Sequence, residues 1–170
     1  MANTIERNLN GGNPVELLWA ARNYCENPSY WEENWLVTQK AIDQAIVRIT
    51  AAASDPSHLL LIAESSTLGI IGFHWIRLEF VQPGAQRYVG FELDETESAF
   101  AQVVHLWIHP DYINQGIAKS MKRGGEKWAV AKGVRRIQTS VNYRNKKMFD
   151  LNVRLGFEPG QVVMSKKLVL

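Results

Sequence analysis

The residues best suited to chemistry lie between Leu106 and Lys119, where the apolar run Leu106-Trp107-Ile108 meets His109-Pro110-Asp111 and then Ile113-Asn114-Gln115-Gly116-Ile117-Ala118-Lys119. This order predicts a strand, a proline-marked turn and a helix opening at Gly116. A helix start leaves its first N–H groups without intrahelical partners, and the aligned peptide dipoles add partial positive charge there. Such main-chain donors hold phosphate oxygens, and Gly116 has no Cβ to obstruct them, so the junction suits a pyrophosphate. The plainer account of such a glycine is that it relieves a tight turn.

Groups able to move a proton are scattered. His105 lies on the strand with an ordinary pKa suited to a general base, although a core histidine is the commoner role for such a residue. Tyr112 and Tyr143 carry phenols with an unperturbed pKa of about 10. Glu64, Glu92 and Glu97 offer carboxylates, with solvated surface as the default for each. Cys25 has no His or Asp patterned with it and reads as a small buried residue. A single cysteine excludes an internal disulfide and a zinc cluster of Cys ligands, and no metal site is expected.

These groups need a scaffold. The chain of 170 residues, 46% hydrophobic and 21% charged, fits one α/β (α+β) domain spanning 1–170. Asn13 and Pro14 open a first helix, Pro14–Cys25, with Val15, Leu18, Trp19 and Arg22 marking its packed side. Helical spacing through Trp31, Trp35, Ile42, Ala45, Ile46 and Ile49 predicts a second helix over Tyr30–Ala53. Leu59–Glu64 and Gly69–Phe80 read as a hairpin, 81–97 as a loop and Ala99–Ile108 as a long strand. Period-two alternation puts Gln102, Val104, Leu106 and Ile108 on one face and Val103, His105, Trp107 and His109 on the other, unless a bulge reverses them. A helix from Gly116 to about Lys132 follows, with Ile117, Met121, Gly124, Gly125, Trp128 and Ala131 on one side. The glycine pair costs on the order of 1 kcal/mol per residue, which close packing on the sheet would offset. A strand over Arg135–Val141, a helix capped by Asn145 and ended by Gly156, and a last strand complete an ααββ–β–αβαβ order.

The strand Gln102–Ile108, its turn and the helix from Gly116 resemble the acetyl-CoA signature of the GCN5-related N-acetyltransferases (GNAT family), whose junction usually reads Arg/Gln-x-x-Gly-x-Gly/Ala. Ile113 holds the first position here. The segment from Asn142 to Phe157 is similar to the family's Asn-x-x-Ala…Tyr-x-x-x-Gly-Phe pattern, with Asn152 where the Tyr would stand. The matching segments cover roughly the C-terminal half of the chain. The resemblance implies a central mixed, mostly antiparallel sheet flanked by helices, with strands four and five splayed to admit the pantetheine arm of acetyl-CoA. It implies cofactor contacts at Ile108, Ile113, Asn114, Gln115, Gly116, Ile117, Ala118, Lys119 and Asn145, an oxyanion donor in the main chain near Ile108, and transfer by direct attack of an amine.

The same resemblance puts the leaving-group acid at Asn152, which offers an amide donor but no proton. Tyr143 and Tyr112 are the substitutes. It puts Gln102 where many relatives carry an acidic residue, leaving His105 and the glutamates as other candidates for the base. The first two helices and the 81–97 loop, with their aromatic and acidic residues, would set the acceptor.

The net charge of +2 is too small for a nucleic-acid binder, and Lys119, Lys122, Arg123 and the run from Arg144 to Lys147 sit on helix starts near the expected anion, each singly read as solvated surface. Met1–Asn13 has no signal-peptide pattern and no apolar run reaches membrane length, so a soluble cytoplasmic protein is expected. Its expected partners are acetyl-CoA and an amine of a small molecule or peptide, without nucleic acid or membrane; a homodimer is compatible with the sequence. The alternative reading is a non-catalytic acyl-CoA-sensing or protein-interaction module on the same fold.

Overall fold

The computed structural model describes residues 4–27, 37–81, 98–142 and 144–160. Strands β1 (Thr4–Asn8), β2 (His58–Ser65), β3 (Gly69–Phe80), β4 (Ala99–Ile108) and β5 (Ile137–Thr139) lie side by side in chain order. The first three pairings are antiparallel and β4 pairs β5 in parallel, so the sheet is mixed and mostly antiparallel as expected. Helices α1 (Pro14–Glu26) and α2 (Gln39–Ala53) join β1 to β2, α3 (Ile117–Ala131) joins β4 to β5, and α4 (Lys146–Arg154) follows β5.

The two sheet faces divide the core. Leu60, Ile62, Phe73 and Trp75 pack with Leu17, Ala20 and Ala21 of α1 and with Ala45 and Ile49 of α2. The alternate positions Leu59, Ala63, Ile71 and Ile76 pack with Ile117, Met121 and Ala129 of α3. The glycine pair in α3 makes the predicted close approach. A Cβ on Gly125 would overlap Ile76 Cδ1, and one on Gly124 would lie 3.1 Å from Leu61 Cδ1.

Several expectations are corrected. Thr4–Asn8 is a strand at the sheet edge, although its polar sequence gave no sign of one. Only one of its neighbours is a strand, and its side chains are mostly exposed or half-buried, so an apolar alternation is not required. Arg7 anchors it by pairing with Glu16 of α1 and with Glu64 of β2. In α1 the packed stripe is Leu17, Ala20, Ala21 and Cys25, while Val15 and Leu18 face solvent; Trp19 still packs on the core. Cys25 is buried as expected, and burial pushes its thiol pKa up. The described part of α2 starts at Gln39, capped by Thr38 through the Ala41 N–H. Tyr30, Trp31, Trp35, Glu92, Glu97 and Tyr143 lie outside the described residues, as does the body of the expected last strand.

The correction that matters most for function is in β4. Trp75 pairs with His105 and Ile76 with Val103, so Val104 is an extra residue in the ladder, a β-bulge. It breaks the alternation. Ala101 and Val103 pack on the α3 face, Val104 packs with the α1–α2 cluster, and Leu106 and Ile108 return to the α3 face. Gln102 therefore does not share a face with Leu106 and Ile108.

Candidate active site

At the bulge β4 also loses its neighbour. Pairing with β5 covers only Ala101–Val103 against Ile137–Thr139, while β4 continues to Ile108. β5 is thus shorter than the predicted Arg135–Val141, and the two strands part beyond Val103. His109 N–H donates to Ile71 O on β3 at 2.8 Å. Ladder alternation then turns the main-chain groups of Leu106 and Ile108 the other way, toward the edge that β5 has left. An extended ligand inserted there can pair with them as an added strand would.

Beyond β4, Pro110–Tyr112 forms one 3-10 turn. The Tyr112 hydroxyl hydrogen-bonds with Ser65 Oγ at 3.1 Å and Thr67 Oγ1 at 3.3 Å, which ties the turn to the β2–β3 hairpin and holds the phenol pKa below its ordinary value. Gln115 Nε2 donates to Asp111 O at 3.0 Å. Asn114 (φ 67°) and Gly116 (φ 85°) both take the left-handed conformation, and Asn114 is the one non-glycine to do so among the described residues. The α3 N-terminus has no side-chain cap.

Asn114 and Gly116 flank Gln115 immediately before the uncapped helix start, whose free main-chain N–H groups could cradle an anion. A Cβ at Gly116 would meet nothing within 4 Å. Glycine is therefore required by its φ and the space before it is open. Ile113, Asn114 and Gln115 are exposed, Ala118 is half-buried, Lys119 and Arg123 are exposed, and Ile117 is buried with Met121 as an anchor.

Asn145 caps α4, its Oδ1 accepting from Met148 N–H at 3.1 Å, and Gly156 ends the helix at φ 88°, both as predicted. Asn152 is 4% exposed, and among the described residues its Oδ1 has no hydrogen-bond partner. Its main-chain oxygen accepts from Phe157 N–H at 3.0 Å.

The candidate bases are less favourably placed. Gln102 donates from Nε2 to Val103 O at 2.9 Å, so its amide is tied to the strand itself. His105 is 1% exposed and points into the α1 side, with Tyr24 and Phe73 against its ring. Its Nε2 donates to Asn23 Oδ1 at 3.2 Å, which leaves Nδ1 unprotonated and, among the described residues, without a partner. Burial pushes its pKa down to about 4, so the ring is neutral at pH 7. Glu64 is engaged by Arg7.

Two further buried residues, neither of them predicted to be so, lie near one another on the α3 side of the bulge. His74 on β3, fully buried, donates from Nδ1 to His105 O at the bulge (2.9 Å), which leaves its Nε2 as a lone pair without a donor. Burial holds its pKa down to about 3. Lys122, expected at the surface, is buried in α3. A signal was present: Ala118, Lys122, Gly125 and Ala129 share one helical stripe, and the other three are small residues suited to close packing. Among the described residues no group of three or more His, Cys, Asp or Glu gathers as a metal site. On the α2 side a hollow of about 360 Å³ is walled by Tyr24, Arg48, Asp55, His58, Trp75 and the bulge residue Val104.

Comparisons with known proteins point to one family. The family model described as Acetyltransferase (GNAT) family matches residues 16–157. No curated protein matches the chain. Among solved structures, the aminoglycoside antibiotic 6'-N-acetyltransferase AAC(6')-Ih from Acinetobacter baumannii is 16% identical, with 99% of each chain covered and a TM-score of 0.69. AAC(6')-Iy in complex with a bisubstrate analog, CoA-S-monomethyl-acetylneamine, is also 16% identical, covering 99% of this chain and 100% of that one at a TM-score of 0.71. A GCN5-related N-acetyltransferase from Ralstonia eutropha JMP134 reaches a TM-score of 0.73 at 13% identity, covering 98% of this chain and 99% of that one. At such identities the likeness is one of fold.

Proposed function

The chain belongs to the GNAT family of acetyltransferases, and from that premise we propose that it transfers the acetyl group of acetyl-CoA directly to an amine of a small molecule or a peptide. The observation that carries this reading is the uncapped start of α3, with Asn114 and Gly116 left-handed, at the mouth of the gap where β4 leaves β5. A pyrophosphate fits the cradle and an extended pantetheine arm fits the free edge of β4. Complexes of AAC(6')-Iy with CoA and with a CoA bisubstrate analog support the choice of ligand.

In this reading the coenzyme enters from Gly116 and lies along Leu106 and Ile108, with its thioester near the bulge. A neutral amine attacks the carbonyl carbon, and a main-chain N–H on the open edge of β4 receives the oxyanion; a preorganised donor of that kind contributes about 2.7–4 kcal/mol. The hollow that ends at Val104 is the approach for the acceptor. Since Gln102 cannot take a proton and His105 is buried, the amine arrives neutral or gives its proton to water. The chain carries one cysteine, Cys25, and no helix among the described residues is long and apolar enough to cross a membrane.

Acetyl-CoA is expected to raise the melting temperature, by the equivalent of about 2.7 kcal/mol at a ligand concentration 100 times Kd. Gly116→Glu removes most of that gain, because the added carboxylate enters the phosphate position. Gly116→Ala, which brings strain without charge, retains more of it. An unchanged shift in folded Gly116→Glu rejects the site. Turnover is tested by release of free thiol from acetyl-CoA with a pooled amine library. Binding without turnover would favour the sensing module, to which the amides at Gln102 and Asn152 lend support.

A further inference from the structure

Three buried polar residues, Lys122 of α3, His74 of β3 and Asn152 of α4, each present an atom that has no hydrogen-bond partner among the described residues. Lys122 is 2% exposed, and among the described residues its ammonium has neither an ion pair nor a hydrogen bond; Nζ lies 4.9 Å from the centroid of the Phe157 ring. His74 Nε2 and Asn152 Oδ1 are acceptors without donors. Removing an ammonium from water without an anion costs several kcal/mol, so the fold alone would favour an apolar side chain at this position.

The placement of Lys122 indicates what meets it. Gly125, one turn further along α3, comes so near β3 that its Cβ would lie 3.4 Å from His74 Nε2, and His74 in turn holds the His105 carbonyl at the bulge. Lys122 thus stands at the closed end of the gap. It lies six residues from the phosphate cradle at Gly116, about 9 Å along the helix axis. On its other side it meets Phe157, whose N–H donates to Asn152 O. The ammonium therefore spans from α3 to the turn after α4, the helices that precede and follow β5.

We propose that Lys122 is a catalytic residue of the transfer, its ammonium facing the coenzyme sulfur and protonating it as it leaves. This rests on the acetyl-CoA reading above. The C–N bond forms as the amine attacks. When the tetrahedral intermediate collapses, the C–S bond breaks and its electron pair goes to sulfur, which takes a proton from Nζ to give the free thiol. The amide nitrogen releases its extra proton to water, and neutral Lys122 recovers a proton from water before the next cycle.

The surroundings tune this acid. Burial pushes the Lys122 pKa down to about 8, against a partial pull upward from Glu126 on the same helix. His74, the titratable group facing it from β3, is neutral and adds no competing charge. An acid near 8 is better matched to a thiol of about 8.5 than an ordinary lysine at about 10.4 or tyrosine at about 10.

The test uses native protein, Lys122→Met and Lys122→Arg, titrating CoA bound to each by the ultraviolet absorbance of its thiolate and measuring kcat and KM on an acceptor from the amine pool. In native protein the bound thiol is expected to ionise below about 8.5, and in Lys122→Met this depression disappears. For Lys122→Met, kcat falls by about 100-fold or more. Native kcat declines as pH rises through about 8, where the ammonium is lost, and Lys122→Arg abolishes that alkaline limb because arginine keeps its proton. A native thiol pKa in Lys122→Met, or a change in KM alone, overturns the proposal. If Lys122→Met does not fold, an unchanged alkaline limb in Lys122→Arg overturns it equally. Failure of native protein to bind CoA overturns the underlying reading and the proposal with it.

Discussion

The two ends of the gap between β4 and β5 are built from different materials. At the open end the proposed anion cradle is main chain, shaped by the left-handed Asn114 and Gly116 and exposed to solvent. At the closed end the polar groups are buried side chains, Lys122 of α3, His74 of β3 and Asn152 of α4, with His105 of β4 on the other face of the sheet. A main-chain site costs the fold little, since exposed N–H groups at a helix start are hydrated until a ligand arrives. A buried polar site destabilises the fold until its partner is present. The closed end is therefore where stability and function are expected to oppose one another.

The largest effect is expected from disturbing the close contact that seals the closed end. Gly125→Val puts a branched side chain where even a Cβ overlaps Ile76 Cδ1, in a core where Ile76 is fully buried. Overpacking of this kind costs typically 1–3 kcal/mol, and a chemical melt would show the loss. The cradle at Gly116 is about two and a half turns away toward the N-terminus of α3, so the folded variant should still gain stability from acetyl-CoA. Loss of that gain with little loss of stability would reverse the contrast between the ends.

The open end was legible in sequence because its signals are local. Pro110, Gly116, Asn145 and Gly156 each act on their own turn, and each turn formed as read. The layer order was legible too, since α2, β2, β3, β4 and α3 carry apolar periodicity. The rest depends on long-range pairing. The polar edge strand β1 exists because β2 offers it a partner and Arg7 finds Glu64, 57 residues away. The bulge at Val104 is set by the register of β3 against β4, and it moved Gln102 off the face shared by Leu106 and Ile108. Lys122 read as surface because a lysine usually is; only its stripe of small neighbours hinted otherwise.

An intermediate effect is expected from pH. His105 and His74 have native pKa values near 4 and 3, lowered by burial, against about 6.5 in the unfolded chain. Between these values the unfolded state binds more protons than the native one, so stability rises with pH across that window and levels off above about 6.5. Each imidazole therefore destabilises the native state progressively as pH falls from about 6.5 toward 4. Lys122, depressed to about 8, has the same sign in a higher window: the protonated form destabilises the native state, and stability rises again from about 8 toward the unfolded lysine value of about 10.4. Denaturant melts at pH 4.5, 7 and 10 should show both rises. Lys122→Met should erase only the alkaline one and melt higher than native protein at pH 7. A stability curve flat from pH 4.5 to 7 would mean that the histidines are not held neutral by burial.

The smallest effect is expected at Asn152, and it bears most directly on which end the ligand completes. A buried acceptor without a donor costs about 1–3 kcal/mol, but Asn152 also offers an amide N–H₂, so only part of that cost is recoverable by substitution. Asn152→Leu, close in volume, should therefore raise the stability of the ligand-free protein by about 1 kcal/mol or leave it unchanged. If the amide turns toward the coenzyme, the variant should gain less stability from acetyl-CoA than native protein does, so that the two converge when ligand is saturating. The cradle is untouched by this change, and Gly116→Ala serves as the reciprocal control, since it acts on the ligand gain through the open end. Measured as four melts, native and variant with and without acetyl-CoA, the coupling appears as a difference of differences and does not depend on knowing the acceptor amine. Equal ligand gains in native protein and Asn152→Leu would remove Asn152 from the coenzyme site and leave Lys122 as the side chain whose burial at the closed end calls for a ligand.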